Sequence, residues 1–258
     1  VVITGASAGI GAAASLAFAK KGARVIMVAR SKPRLDSARE NLAGIGKSEL
    51  IACDVSDKEQ VSQMADEVLG RFGHVDILVN NAGFAVHRTV SESSVGDIES
   101  QMNTNYLGMV YCTKCFLPGM LERRAGHIVN VASVAASMGL PGMAAYCASK
   151  HAMLGFSEGL SHELHGTGVG VTVVSPITVK TQFFDHPSFS RKPSYKYAVS
   201  PERVARSIVQ ASSSPRLEII VPQPVRIIVW LKQTMPYLLG PILGSSFRRS
   251  LNSPNRQD

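Results

Sequence analysis

Tyr146 and Lys150 stand four residues apart in the segment AAYCASKHAM, and Ser133 lies thirteen residues before the tyrosine. On a helix, positions i and i+4 share a face, so a phenol and an amine at that spacing can serve one atom. A free phenol loses its proton only near pH ~10, and a neighbouring ammonium favours the phenolate and lowers that value. Such a pair can give a proton to an oxygen or take one from it. A serine hydroxyl alongside can donate a hydrogen bond as negative charge grows on the same oxygen. A Tyr/Lys pair alone is commonly a surface contact, so the reading rests on the rest of the chain.

A glycine-rich turn, Thr4-Gly5-Ala6-Ser7-Ala8-Gly9-Ile10-Gly11, follows an opening run of β-branched residues and leads into a helical stretch. Gly5 permits a tight turn, Gly9 lets backbone approach a pyrophosphate, and Gly11 lets helix and strand pack closely. The helix N-terminus then offers N–H groups to phosphate, with Ser7 and Ile10 in the same turn. The second apolar run ends in Ala29-Arg30, with Lys32 and Arg34 close behind. A carboxylate there would bind a ribose 2′-hydroxyl, whereas a guanidinium attracts a 2′-phosphate. Ser7 can add a hydroxyl donor, and the cofactor expected is NADP(H). Asp54, with Val55 beside it, is placed to meet the adenine amino group or else to cap a helix. Asn80-Asn81-Ala82-Gly83 ends the fourth apolar run, where Asn81 can bond backbone and Ala82 and Gly83 leave room for a cofactor.

These residues need strands and helices in alternation. Strands are expected at Val1–Ile3, Arg24–Val28, Leu50–Cys53, Val75–Val79, His127–Val131, Val169–Val174 and Leu217–Val221. The runs are apolar on both faces, as in a buried parallel sheet. Helical stretches fall between them at 9–21, 33–43, 57–71, 97–120, 145–165 and 200–212. The pattern predicts an α/β protein with one doubly wound parallel sheet of about seven strands and helices on both faces. Residues 1–222 form that domain, and an apolar-basic extension occupies 223–258.

TGASAGIG, Asp54, NNAG, Asn105 in NYLG, Ser133 and Tyr146-x-x-x-Lys150 occur in the order found in the short-chain dehydrogenase/reductase family, and the chain resembles that family over residues 1–221. The resemblance implies a Rossmann-like fold and reversible hydride transfer between nicotinamide and a carbonyl or secondary alcohol. It also implies that Lys150 bonds the nicotinamide ribose, that Asn105 holds a water linking Lys150 to solvent, and that Tyr146 faces the cofactor. Relatives carry Pro-Gly after the sixth strand and then a threonine near the carboxamide. Here Pro176 is followed by Ile177, which narrows or stiffens that side, and Thr181 is the threonine. A homodimer or homotetramer built on helices 97–120 and 145–165 is implied as well.

Composition bounds the rest. At 258 residues, 45% hydrophobic and 18% charged, the chain suits one large domain. Residues 1–185 carry 16 Lys/Arg and 16 Asp/Glu, while residues 186–258 carry 11 and 3, so the +8 excess lies wholly in the last part. That distribution argues against a nucleic-acid surface and for an anionic partner near the C-terminus, or a solvated tail. Cys53, Cys112, Cys115 and Cys147 read as free thiols, and no metal site is expected, since Cys112-x-x-Cys115 lacks a second pair. Aromatics in 180–200 (Phe183, Phe184, Phe189, Tyr195, Tyr197), with Met138, Leu140 and Met143, predict a pocket for an apolar carbonyl or alcohol, a 3-oxoacyl group included. The tail Val225–Leu251 places Ile227, Ile228, Leu231, Met235, Leu238, Leu239, Ile242 and Leu243 near helical spacing. Arg226, Lys232, Arg248 and Arg249 accompany them, as in an interfacial helix broken by Pro236 and Pro241. The expected location is cytoplasmic or peripheral on the cytoplasmic face of a membrane. Alternatives on the same fold are a catalytically idle NADP(H)-sensing regulator and a membrane scaffold.

Overall fold

Alternation along each apolar run sends neighbouring side chains to opposite layers, and this organises the protein. In β1 (Val2–Thr4), Val2 faces one layer and Ile3 the other; in β2 (Val25–Ala29), Val25 and Met27 join Ile3, while Ile26 and Val28 join Val2. The computed structural model describes residues 1–189, 195–213 and 216–235, together with Pro241 and Ser245. β3 (Ser48–Ala52), β4 (Ile77–Asn80), β5 (Gly126–Val131), β6 (Val169–Pro176) and β7 (Glu218–Val221) complete a parallel sheet of 7 strands in the order β3-β2-β1-β4-β5-β6-β7. Order reverses between β1 and β4, which opens a crevice at their carboxyl ends. The expected strands are all present; β3 begins two residues early because Ser48 pairs with Val25.

One face of the sheet is covered by α1 (Gly9–Ala19), α2 (Lys32–Glu40) and α7 (Pro201–Ser213). The other is covered by α3 (Lys58–Phe72), α5 (Gly108–Arg123) and α6 (Ala144–Glu163), with α4 (Val95–Met102) before α5. Their own side chains cap α2, α3 and α4, through Ser31, Asp57 and the Ser94/Asp97 capping box. α1 has Ala8 at its N-cap and no side-chain capping bond.

The helix expected over 97–120 is not continuous. A π turn at Asn103–Leu107 separates α4 from α5, with the Gly108 N–H donating to the Asn103 carbonyl. Gly108 is needed there because a Cβ would sit 2.8 Å from Val55 Cγ2.

Beneath the crevice, β4 and β5 place Asn80 opposite Asn130. Asn80 Nδ2 donates to Asn130 Oδ1 at 2.9 Å, Asn130 Nδ2 donates to Ser157 Oγ at 2.8 Å, and Ser157 Oγ donates to the Met153 carbonyl at 2.6 Å. This buried ladder joins two strands to α6.

Past β7 the tail forms α8 (Val225–Thr234), which buries Val229 and exposes Ile227, Ile228, Trp230 and Leu231, with exposed Met235 just after it. Pro236, Leu238, Leu239, Ile242, Leu243, Arg248, Arg249 and Leu251 lie outside the described residues, as do residues 190–194 of the aromatic stretch. Asn130→Ala should cost about 1–3 kcal/mol, because it leaves the Asn80 amide and the Ser157 hydroxyl short of a buried partner. Thermal or urea unfolding of the purified variant checks this.

Candidate active site

The glycine turn is held by residues from the next strand in the sheet. Thr4 Oγ1 accepts from the N–H groups of Asn81 and Ala82, both at 3.0 Å, while Asn81 Nδ2 donates to the carbonyls of Thr4 (3.0 Å) and Gly5 (3.2 Å). Gly5 (φ 63°) and Gly9 (φ 54°) adopt left-handed backbone. A Cβ on Gly5 would lie 2.9 Å from Ala82 Cα, and one on Gly11 would collide with the Gly5 carbonyl oxygen. Ser7 and Ile10 are half-buried in the same turn. The uncapped start of α1 therefore stands over backbone that carries no side chain of its own at Gly5, Gly9 and Gly11. These features fit a dinucleotide phosphate.

β2 and β3 end side by side, with Ala29 opposite Ala52, which brings Arg30 next to Asp54. Arg30 is largely exposed, and its Nη1 lies 3.8 Å from Asp54 Oδ2. Asp54 Oδ1 accepts from the Ser56 N–H at 3.0 Å and Ser56 Oγ at 2.7 Å, while Asp57 is the cap of α3. Val55 is buried against Gly108. Asn81 spends its amide on the backbone of the glycine turn and so holds the turn in place.

Ser133 lies two residues past β5 and caps a short 3-10 turn, Val134–Ala136; its Oγ accepts from the Ala135 N–H and donates to the Pro176 carbonyl at 3.4 Å. Across from it, α6 presents Tyr146 and Lys150, both buried. The Ser133 hydroxyl lies near enough to the Tyr146 phenol to favour its ionised form. Lys150 Nζ donates to the Val131 carbonyl at 3.0 Å and to Met153 Sδ at 3.3 Å, and lies 5.7 Å from the Tyr146 ring centroid. Asn105, in the π turn, is fully buried. Its Nδ2 donates to the Phe84 carbonyl and to Ser149 Oγ, and its Oδ1 accepts from the Phe84 N–H, all at 2.9 Å. A Cβ on Gly83 would sit 3.0 Å from Asn105 Oδ1 and 3.6 Å from Lys150 Nζ, so Gly83 keeps that corner open.

The Ile177 N–H donates to the Val221 carbonyl at 3.0 Å, extending the β6–β7 ladder. Thr181 caps the following 3-10 turn, Gln182–Asp185, and its methyl faces Gly9. Phe183 then meets the Tyr146 ring edge-on at 5.7 Å and Phe189 at 6.4 Å. Leu140, Met143 and Ala135 complete an apolar wall around the phenol. Sequence reasoning missed the parts played by Thr4, Phe84, Ser149 and Met153. Only Thr4, a hydroxyl placed just before the turn, carried a readable signal.

The electrostatics correct one expectation. Burial pushes the Tyr146 phenol well above its ordinary value; the Ser133 hydroxyl acts against this, and Cys147 adds to it. Burial also pushes Lys150 down to about 7. Desolvation thus outweighs the acidifying effect expected of the amine, since each group is held away from water in its charged form. For Lys150 the folded pKa lies below the unfolded one. The burial penalty is therefore complete below pH ~7 and fades as pH rises toward the unfolded value of ~10.4. Lys150→Met should abolish turnover yet raise the melting temperature at pH 7, by a margin that shrinks at pH 10; thermal melts across that range test the sign.

A family model described as short chain dehydrogenase matches residues 1–188. Epidermal retinol dehydrogenase 2 of Mus musculus is 33% identical over 247 residues, 93% of this chain and 79% of its own length. A short chain dehydrogenase/reductase from Burkholderia phymatum in complex with NAD is 28% identical, with a TM-score of 0.84 over 92% of this chain and 94% of that one. A metagenomic short-chain oxidoreductase in complex with NADP is also 28% identical, with a TM-score of 0.74 over 85% and 94%. The crevice, the Ser/Tyr/Lys set and these likenesses agree, and the chain belongs to the short-chain dehydrogenase/reductase family of oxidoreductases acting on CH–OH and C=O groups.

Proposed function

We propose that the protein is an NADP(H)-dependent reductase of a bulky apolar ketone or aldehyde. The observation that carries this reading is the buried Tyr146 phenol, near the Ser133 hydroxyl and walled by Leu140, Met143, Phe183 and Phe189. The bound dinucleotide supplies the hydride that adds to the carbonyl carbon. Tyr146 gives its phenolic proton to the carbonyl oxygen, and a phenol whose pKa is raised by burial is loaded with that proton at neutral pH. Ser133 donates to the same oxygen as its charge develops. Gly5, Ser7, Gly9, Ile10 and Gly11 hold the pyrophosphate, while Asp54, Val55, Ala82 and Gly83 border the adenosine side. Lys150 binds the nicotinamide ribose, and Pro176 and Thr181 flank the carboxamide. Asn105 keeps a lone pair on Oδ1 toward Gly83 and Lys150, which suits a water that resupplies the proton.

Arg30 supports NADP(H) over NAD(H), since a cation follows β2 where a carboxylate would repel a 2′-phosphate. Among the solved relatives both cofactors occur, so this residue is the discriminating one. The likeness to a retinol dehydrogenase agrees with an apolar substrate. Half-buried Tyr111 and Phe156, on α5 and α6, suit a homodimer or homotetramer built on those helices.

Oxidation of NADPH and NADH by the purified protein, with retinaldehyde and with dihydroxyacetone, tests the reading. NADPH with retinaldehyde should be preferred, and Tyr146→Phe should lower kcat about a thousandfold. Arg30→Ala should raise KM for NADPH about tenfold and leave that for NADH unchanged. Preference for the small polar ketone, or an active Tyr146→Phe, sinks it.

The exposed apolar face of α8, with the basic excess of the last 73 residues, fits peripheral contact with an anionic membrane. No helix among the described residues is long and apolar enough to cross one. Trp230 is the chain's single tryptophan. Its fluorescence should shift to the blue with phosphatidylserine vesicles and return with added salt; an unmoved spectrum refutes the contact.

A further inference from the structure

The substrate wall between Ser133 and Tyr146 is one loop, and its anchors come from several parts of the fold. Ser133 fixes its start through the Ala135 N–H and the Pro176 carbonyl. Near its far end, the Leu140 N–H donates to Cys147 Sγ at 3.3 Å and the Gly142 carbonyl accepts from the Arg88 N–H at 2.8 Å. Between these lies Ser137, buried, which closes the 3-10 turn by donating its N–H to the Val134 carbonyl at 3.0 Å. Its own carbonyl then points out of the turn and needs a donor. Lys232 Nζ supplies one at 2.9 Å, from 95 residues away on α8.

We propose that Lys232 is a positioning residue for catalysis: from α8 it clamps the Ser137 carbonyl and so sets where Ser133, Leu140 and Met143 stand around the Tyr146 phenol. Three observations carry this. Lys232 lies on the inner side of α8 with Val225 and Val229, at spacings of four and three residues, and this side packs inward while Ile227, Ile228, Trp230 and Leu231 face out. The carbonyl it meets belongs to Ser137, the residue that closes the 3-10 turn Val134–Ala136. That segment begins at Ser133 itself, so a shift of Ser137 is passed to the Ser133 hydroxyl through a three-residue turn that has little slack. The C-terminal extension is thereby a part of the substrate site and not an appendage to it.

The inference rests on the roles given to Ser133 and Tyr146, so its test includes a measurement that needs no turnover. Lys232→Met keeps the apolar stem and removes the donor; Lys232→Arg keeps a donor. Cys147 is buried beneath this loop, whereas Cys53 and Cys112 are buried in the layer under α3 and α5. N-ethylmaleimide labelling of the folded protein, mapped by mass spectrometry, should rise severalfold at Cys147 alone in Lys232→Met and return to the original rate in Lys232→Arg. With retinaldehyde and NADPH, kcat/KM should fall about tenfold in Lys232→Met, with KM for NADPH unchanged and most activity recovered in Lys232→Arg. Unchanged Cys147 labelling overturns the proposal, as does a rise shared by Cys53 and Cys112, or an unchanged kcat/KM in an active protein. A parent protein that reduces no carbonyl counts against the proposed function, while the labelling still decides the clamp.

Discussion

The stitch between the ends of β1 and β4 is the constraint on which the rest of the site depends. One hydroxyl, Thr4 Oγ1, accepts two backbone N–H groups from Asn81 and Ala82, and one amide, Asn81 Nδ2, returns two bonds to the carbonyls of Thr4 and Gly5. Those carbonyls lie where the chain leaves the sheet and has no ladder partner, so they must be met from elsewhere. Meeting them pulls Asn81 and Ala82 so close that Gly5 and Gly11 can have no side chain. The bare backbone surface that suits a phosphate is thus a by-product of how two strand ends are fastened together.

That arrangement was only partly legible in the sequence. Strands were readable because each buried run carries apolar residues on both faces, and the four-residue spacing of Tyr146 and Lys150 put them on one helix. Hydrophobic period says nothing of backbone hydrogen bonding, so the π turn at Asn103–Leu107 read as ordinary helix. The Asn80–Asn130–Ser157 ladder was hidden because its members are scattered in the chain and meet only through strand register. Asn105 was found, yet its two bonds to the Phe84 backbone were not, since they join a helix to a loop 21 residues earlier.

Spacing also misled in one respect. Four residues between a phenol and an amine imply mutual influence, but spacing carries no information about depth. Both groups are buried, and desolvation acts on each more strongly than either acts on the other. The phenol is held in its protonated form, ready to give rather than to receive. The amine, anchored to the Val131 carbonyl, is pushed by burial toward its neutral form.

α6 carries Tyr146, Cys147, Ser149, Lys150 and Met153 within its first three turns, whereas the apolar walls belong to two connecting segments, 137–143 and 183–189. Tyr146 and Lys150 are therefore held on one helix, while the apolar surfaces beside them lie in connecting loops. Descendants of such a chain could drift from one apolar carbonyl to another by loop replacement alone, with the proton donor untouched. This division of labour leaves the scaffold open to retargeting by evolution or by an engineer.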